Sequence, residues 1–461
     1  MSAKIKLTWS VYLVLLPLNI TYFLGVPHVM PADFLVPVLI VLAALSVGKR
    51  LAGVVVEDFP VLACLLIFLL VTALAAVRFG LEKNLALAAL AQIELVVTYF
   101  LFRVTVGEAR LYIRLVLTWV IVSTIVSAVG IIAVGAAYAG WKTPLALWYP
   151  SLGPGAWRLI GVTGHSPNFF CSYLNAGFFL SLGLLLSKKA GHHLPGVDRK
   201  FSVNSMWTAV AVHALALALT YSRGLLGLIL GLIIIVQVLS VKSLQRAKFY
   251  KTALWTAFAV LFLYGSVFYT YTTDALFTPS QEAADSLRLD AAAPHHSLYS
   301  YKNVPHLENG AAYRRLPGGF TYLPSMHLYL LRSSWNLFAR NPFFGIGPGR
   351  YINELKALRE ENGGLIPQSF PDLKPHSTLM GALAEGGIVG FAGLAILWLF
   401  FLGKPLWRKL KDDPLGLAIY AAMAGYLLVG LNMDIMNFRW LWLIFALAAA
   451  RASLLNNRLP E

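Results

Sequence analysis

Cysteine is almost missing from this chain: Cys64 and Cys171 are its 2 cysteines in 461 residues. Each lies in a separate apolar run, so the sequence encodes neither a disulfide framework nor a zinc site. Charge is scarce as well, at 13% of residues, and acid is scarcer than base, with 21 Asp and Glu against 37 Lys and Arg. No low-complexity tract or internal repeat is visible, and the two halves do not mirror one another in loop length. Carriers built from structural repeats usually show such symmetry. The stretches between the apolar runs that fall on the outer side also lack an Asp-x-Asp pair of the kind that holds a divalent cation.

Apolar sequence is what the chain has in abundance. With 58% hydrophobic residues and a mean hydropathy of +0.69, it exposes more apolar surface than a soluble core can hide. Long apolar runs in lipid must satisfy their own backbone polar groups, so they read as helices. About twelve such runs start near Trp9, Asp33, Pro60, Leu85, Leu111, Asn168, Trp207, Gly224, Thr252, Leu379, Leu415 and Ile435. The fold class expected is therefore all-α, a polytopic membrane protein. Basic residues fall on alternate connections, among them Lys49 and Arg50, Lys188 and Lys189, Lys242 and Arg246, and Arg408 and Lys409. Those connections are cytoplasmic by the positive-inside rule, which puts both termini inside. Most of the net charge of +16 is consumed by that bias, and anionic head groups account for it without nucleic acid. The first run follows Lys4 and Lys6 but has no small-residue cleavage site after Ile20, so it reads as an uncleaved helix.

One long hydrophilic segment, roughly Asp274 to Pro375, interrupts this pattern on the outer side. It suggests three parts: residues 1–271 with nine spans and a short outer loop at 139–167, a cap at 272–378, and three further spans at 379–461. Within the cap, Gln281 to Ala293 could form an amphipathic helix. Leu328 to Phe338 is a stronger candidate, because Leu328, Leu331, Trp335 and Phe338 recur at helical spacing before Asn341 and Pro342 stop it. Tyr351 to Glu361 is a third. The cap thus reads as a small helical layer lying on the membrane. Its aromatics, Phe320, Tyr322, Tyr329, Trp335, Phe338, Phe343 and Phe344, suit either the head-group level or packing onto the helices.

Four constellations can carry chemistry. Arg158 to Gly161 with Gly164 to Asn168 stands at the outer mouth of the sixth span, where glycine and proline alone would explain a turn into a helix. Arg158 could meet an anion bidentately. Thr220, Tyr221, Ser222, Arg223 and Gly224 join two short apolar stretches in a tight outer hairpin, and Arg223 there must snorkel, pair or serve a ligand. Arg340 to Gly349 holds Gly345, Gly347 and Gly349, but lacks the Lys and Ser or Thr of a phosphate-binding P-loop, so it reads first as a structural turn. Last, Pro375, His376, Ser377 and Thr378 precede Ala384, Glu385, Gly386 and Gly387. A lone His is often structural, yet it is also the side chain that serves as a base near neutral pH.

Together these segments, in this order, resemble the O-antigen ligase and O-antigen polymerase superfamily of bacterial envelope glycosyltransferases. The most specific elements are Ser222, Arg223 and Gly224, the Asn341 to Gly349 segment, and His376 ahead of Leu383, Ala384, Glu385, Gly386 and Gly387. One departure is Ser377, where such proteins often carry Asn. The resemblance implies a fold of the GT-C kind in the bacterial inner membrane, with the cap between helices 9 and 10 in the periplasm. It implies transfer of a glycan from undecaprenyl diphosphate to an acceptor sugar, without metal or other cofactor. His376 is then the expected catalytic base. Arg158 and Arg223, with Arg288 as a third, are the expected diphosphate ligands, supported by Asn168, Ser222, Gly345, Gly347 and Gly349. The acceptor is lipid A core for a ligase, or another lipid-linked repeat for a polymerase of O-antigen or exopolysaccharide. A transporter of lipid-linked glycan, a reading of a different class, would need ionisable groups within the spans, where Glu94 and His213 are the exceptions.

Overall fold

The computed structural model describes residues 3–19, 30–45, 48–149, 156–163, 166–191, 202–222, 224–241, 278–279, 314–316, 320–322, 326–361 and 374–456. The expected ninth span near Thr252, the Gln281 to Ala293 helix, Arg223 and Arg288 lie outside them.

Helices occur at the other expected positions. They are α1 (Ala3–Leu15), α2 (Val36–Ala44, after a 3-10 turn at Pro31–Leu35), α3 (Gly48–Glu57), α4 (Phe59–Phe79), α5 (Lys83–Thr105) and α6 (Ala109–Tyr138). After a hairpin of β1 (Ala146–Tyr149) and β2 (Ala156–Leu159) come α7 (Pro167–Lys189), α8 (Val203–Leu219) and α9 (Leu225–Val241). The long hydrophilic segment contributes β3 (Thr278–Pro279), β4 (Arg314–Leu316), β5 (Phe320–Tyr322), α10 (Met326–Arg340) and α11 (Tyr351–Glu361). The chain closes with α12 (Thr378–Leu402), α13 (Lys404–Leu410), α14 (Pro414–Val429) and α15 (Arg439–Asn456).

Among the described residues five helical stretches are long and apolar enough to cross a membrane: Phe59–Phe79, Lys83–Thr105, Ala109–Tyr138, Pro167–Lys189 and Thr378–Leu410. Pro31–Ala44, Val203–Leu219, Leu225–Leu239 and Pro414–Val429 are apolar but shorter. Local chemistry shortens others. α1 stops at Leu15 because Pro17 lacks an amide hydrogen and bars the helical conformation to Leu16.

The chain is mostly helical rather than all-α. β1 and β2 pair antiparallel, with Trp148 opposite Trp157 and their rings 5.5 Å apart at 63°. Bulky aromatic residues facing across two strands favour a hairpin where only a polar loop was expected. In the hydrophilic segment β3, β5 and β4 form a small antiparallel sheet, so this segment is not purely helical. Arg314 and Arg315 lie on β4.

By their contacts the residues form two units, Met1–Ile67 with Leu90–Leu261 and Gly393–Glu461, and Phe68–Ala89 with Phe262–Ala392. In the first, α7 is buried along most of its length, packed by α8, α6 and α14. Lipid tails are as apolar as leucine, so close backbone approach and hydrogen bonds, rather than exclusion from water, must hold such helices together. Where α9 meets α14 the approach is extreme: a Cβ on Gly227 would stand 2.7 Å from the Gly425 carbonyl oxygen. Polar ties complement it. The Tyr426 hydroxyl donates to the Ser172 carbonyl at 2.5 Å, and Trp440 Nε1 donates to Ser172 Oγ at 3.0 Å. Buried ions are paired, Arg103 with Asp58 at 2.6 Å and Arg451 with Asp413 at 2.6 Å. The two polar exceptions within the spans are engaged as well. His213 Nε2 lies 2.8 Å from Ser123 Oγ, and Glu94 Oε2 lies 3.7 Å from Arg439, which also pairs with Asp33.

The second unit has its own core of Leu330, Leu337, Ile346, Tyr351, Leu355, Leu358 and Ala384. Each Leu or Ile side chain among them contributes about 1.5–3 kcal/mol on burial. The Tyr351 hydroxyl donates to the Leu330 carbonyl at 2.9 Å, tying α11 to α10. Arg350, at the head of α11, pairs with Glu82 and with Glu354 and lies 3.9 Å over the Phe79 ring. α10 forms where its spacing predicts, yet its buried face is Leu330, Ser333, Ser334 and Leu337. Leu331 and Trp335 of the predicted apolar stripe are exposed.

Candidate functional site

In the first unit the structure brings together Arg158, Asn168 and Ser222. α8 ends at Leu219, and Tyr221 then takes a left-handed conformation (φ 45°), rare for a non-glycine residue. Arg158 holds that turn. Its Nε donates to the Thr220 carbonyl at 3.1 Å and its Nη2 to the Tyr221 carbonyl at 3.0 Å, and the residue is 6% exposed. These carbonyls end α8 and have no helical partner, so the guanidinium acts as its C-terminal cap and complements the negative end of its dipole. Sequence reasoning placed Arg158 on a ligand; two of its donors serve the backbone.

Ser222 completes the turn. Its hydroxyl donates to Asn168 Oδ1 at 2.6 Å and accepts the Gly224 amide at 3.0 Å. Asn168 stands in the first turn of α7, which Ser166 caps by accepting the Phe169 amide at 3.2 Å, with Pro167 at the first helical position. Asn175, one to two turns on, donates to the Gly224 carbonyl at 2.9 Å. Arg223 therefore sits in sequence between Ser222 and Gly224, which residues of α7 hold, and follows Thr220 and Tyr221, whose carbonyls Arg158 holds. The supporting roles expected of Asn168 and Ser222 have a physical basis in these bonds. Asn175 was missed, since an Asn inside an apolar run leaves no motif, and although Thr220 and Tyr221 were named in the turn, no sequence signal marks their carbonyls as the acceptors.

In the second unit, the two other constellations prove to be one structure. α12 is broken at Gly387 (φ 62°, ψ −161°), a conformation open essentially to glycine alone. A break frees helical carbonyls before it and amides after it, and the Asn341 to Gly349 segment satisfies both sets. Ile346 and Gly347 amides donate to the Ala384 and Glu385 carbonyls at 3.0 and 2.9 Å, while Ile388 and Val389 amides donate to the Pro342 and Phe343 carbonyls at 2.8 and 3.1 Å. A Cβ on Gly345 would lie 2.4 Å from the Glu385 carbonyl carbon, and one on Gly387 2.4 Å from that of Phe343. The two backbones can run this close only with glycine at both places. Glu385 Oε1 also accepts the Gly349 amide at 3.1 Å. Its acid in a Gly-rich stretch of an apolar helix was the available signal, although its partner could not be read from it. Asn341 Oδ1 accepts from Arg78 Nη1 at 2.7 Å.

His376 stands half-buried immediately before the N-terminus of α12. Ser377 caps that helix: its Oγ accepts the Met380 amide at 3.3 Å and its carbonyl the Gly381 amide at 2.8 Å. Ser and Asn are equally good at such a position, so the departure from the family's usual Asn keeps the local geometry. Among the described residues no group of three or more His, Cys, Asp and Glu side chains converges. The described site residues can thus offer a backbone turn at Thr220 to Ser222 held by Arg158, Asn168 and Asn175, and an imidazole at a capped helix start followed by a laced, broken helix.

No curated protein matches the chain. Residues 208–395, which hold the Ser222 to Gly224 turn, the Asn341 to Gly349 segment, His376 and Glu385, match the family model described as O-Antigen ligase.

Proposed function

We propose that the protein is an O-antigen ligase, an inverting, metal-independent glycosyltransferase of the bacterial inner membrane. It moves polymerised glycan from undecaprenyl diphosphate to a sugar hydroxyl of the lipid A core. Alternation of basic loops supports an orientation with both termini in the cytoplasm and the chemistry in the periplasm. The observation that carries the reading is His376 at the capped start of α12, within a stretch that matches the family.

The chemistry follows from the residues. The acceptor oxygen attacks the anomeric carbon as the bond from that carbon to the diphosphate oxygen breaks, and configuration inverts. His376 takes the hydroxyl proton. The bonding pair leaves with undecaprenyl diphosphate, and guanidinium groups stabilise the growing charge in place of a divalent cation. Arg223 is the leading candidate for that role and Arg288 a further one; Arg158 contributes by setting the turn. A positioned base contributes about 10² to 10⁴ in rate, or about 3–5 kcal/mol of barrier.

The test is a lipopolysaccharide gel from a deletion strain carrying wild-type protein or His376→Ala, with the lipid-linked glycan pool analysed alongside. Bare core with long polymer accumulating on the carrier is the expected result. Core bearing a single repeat in the deletion strain would assign the protein as a polymerase instead. Unchanged ligation by His376→Ala would remove the histidine from the mechanism.

A further inference from the structure

The exposed stripe of α10 borders a cavity of about 270 Å³ lined by Leu331, Arg332, Trp335, Asn336 and Met380. We propose that this cavity is the acceptor subsite and holds one sugar ring of the acceptor, one that carries an anionic substituent such as phosphate. The inference rests on the glycosyltransferase reading above and names the residues that meet its acceptor.

Four observations support it. First, Trp335 is 53% exposed although its neighbours Ser334 and Leu337 are buried, and its ring is braced by Phe338 at 5.3 Å. A held indole presenting its face offers what the apolar face of a pyranose needs: flat apolar area at low entropic cost. Second, Arg332 and Asn336, one helical turn apart and both exposed, add a guanidinium and an amide to an otherwise apolar lining, and these can meet ring hydroxyls and a phosphate. An apolar surface with a few convergent polar groups is the usual form of a small-molecule site. Third, the cavity lies below the roughly 300–1,000 Å³ of drug-sized pockets, a size that suits one ring better than an oligosaccharide. Fourth, Met380 belongs to the first turn of α12, and its amide is the one Ser377 caps directly after His376. The residue that takes the acceptor's proton is therefore four positions before one wall of the cavity, at the same capped helix start.

The test uses the full-length protein in detergent micelles and two probes, core oligosaccharide freed from lipid A and the same oligosaccharide stripped of phosphate. Titration calorimetry should show at least tenfold weaker binding of core by Trp335→Ala, with Trp335→Phe retaining most of it. Arg332→Gln should lose affinity for the phosphorylated core and little for the stripped one. In transfer assays Trp335→Ala should raise the acceptor KM tenfold or more and leave the donor KM unchanged. Wild-type acceptor KM in Trp335→Ala alongside normal transfer would overturn the subsite while the glycosyltransferase reading stands. Trp335-dependent binding of core without any transfer by the wild type would keep the sugar site and overturn the transferase reading instead. Displacement of core by sugar-free polyprenyl phosphate, lost in Trp335→Ala, would assign the cavity to lipid and overturn the proposal.

Discussion

Gly345 and Gly387 face one another's strands of chain: each would drive a Cβ to 2.4 Å from the backbone of the other's segment, Gly345 into Glu385 and Gly387 into Phe343. Both are left-handed, at φ 65° and 62°. This contact joins the glycine-rich segment to the broken helix that His376 opens.

Substituting Gly387→Ala or Gly345→Ala should therefore cost at least the roughly 1–3 kcal/mol of a strained backbone position, plus the displacement of a main chain that cannot move aside cheaply. The expected outcome is a lower melting temperature in detergent and loss of transfer. Gly386→Ala is the control, because a Cβ there meets nothing within 4 Å. Equal melting temperatures for all three variants would contradict the lacing.

Arg158 and Arg223 should separate by stability. Removing Arg158 leaves the Thr220 and Tyr221 carbonyls without their charged donor, so Arg158→Ala should destabilise the fold by about 1–3 kcal/mol and weaken donor binding through the turn. Arg158→Lys should recover little, since an ammonium cannot reproduce the fork. Arg223→Ala should leave the melting temperature near wild type and weaken both undecaprenyl diphosphate binding and turnover. Full donor affinity in Arg223→Ala would end its assignment.

Ser377 caps the helix start that follows the histidine. Ser377→Asn should keep both the cap and near wild-type turnover, whereas Ser377→Ala should lose about 1 kcal/mol of cap energy and lower kcat. Comparison of kcat across the three proteins, with acceptor KM held as a control, decides it. Full activity in Ser377→Ala would show that the cap does not position His376.

The Arg451 and Asp413 pair is buried, and Asp413 also caps α14 by accepting the Gly416 amide at 2.7 Å. Removing Arg451 alone (Arg451→Leu) should cost about 3–5 kcal/mol by stranding a buried carboxylate. Adding Asp413→Asn should recover part of that loss, because Asn keeps the cap without the charge. Thermal unfolding of the single and double variants measures the coupling, and additive losses would refute it.

Apolar runs determined most helix positions from sequence alone, because a segment that must satisfy its own backbone in lipid has few alternatives to a helix. The start of α12 after His376, the end of α10 before Asn341 and the bounds of α11 were legible for similar local reasons, as was the turn between α8 and α9. Residue types of the candidate site stood out as well: a histidine, arginines in the connections, and glycines in two separate motifs. Tertiary structure alone decided that those two motifs are one element, since a hydrogen bond from Gly347 to Glu385 spans 38 residues and has no signature at either end. It also decided that Arg158 spends donors on backbone carbonyls, and that α10 buries Leu330 and Leu337 rather than the stripe through Trp335. Periodicity reports that a face is apolar; which partner covers it, or whether a cavity is left beside it, depends on the elements packed there.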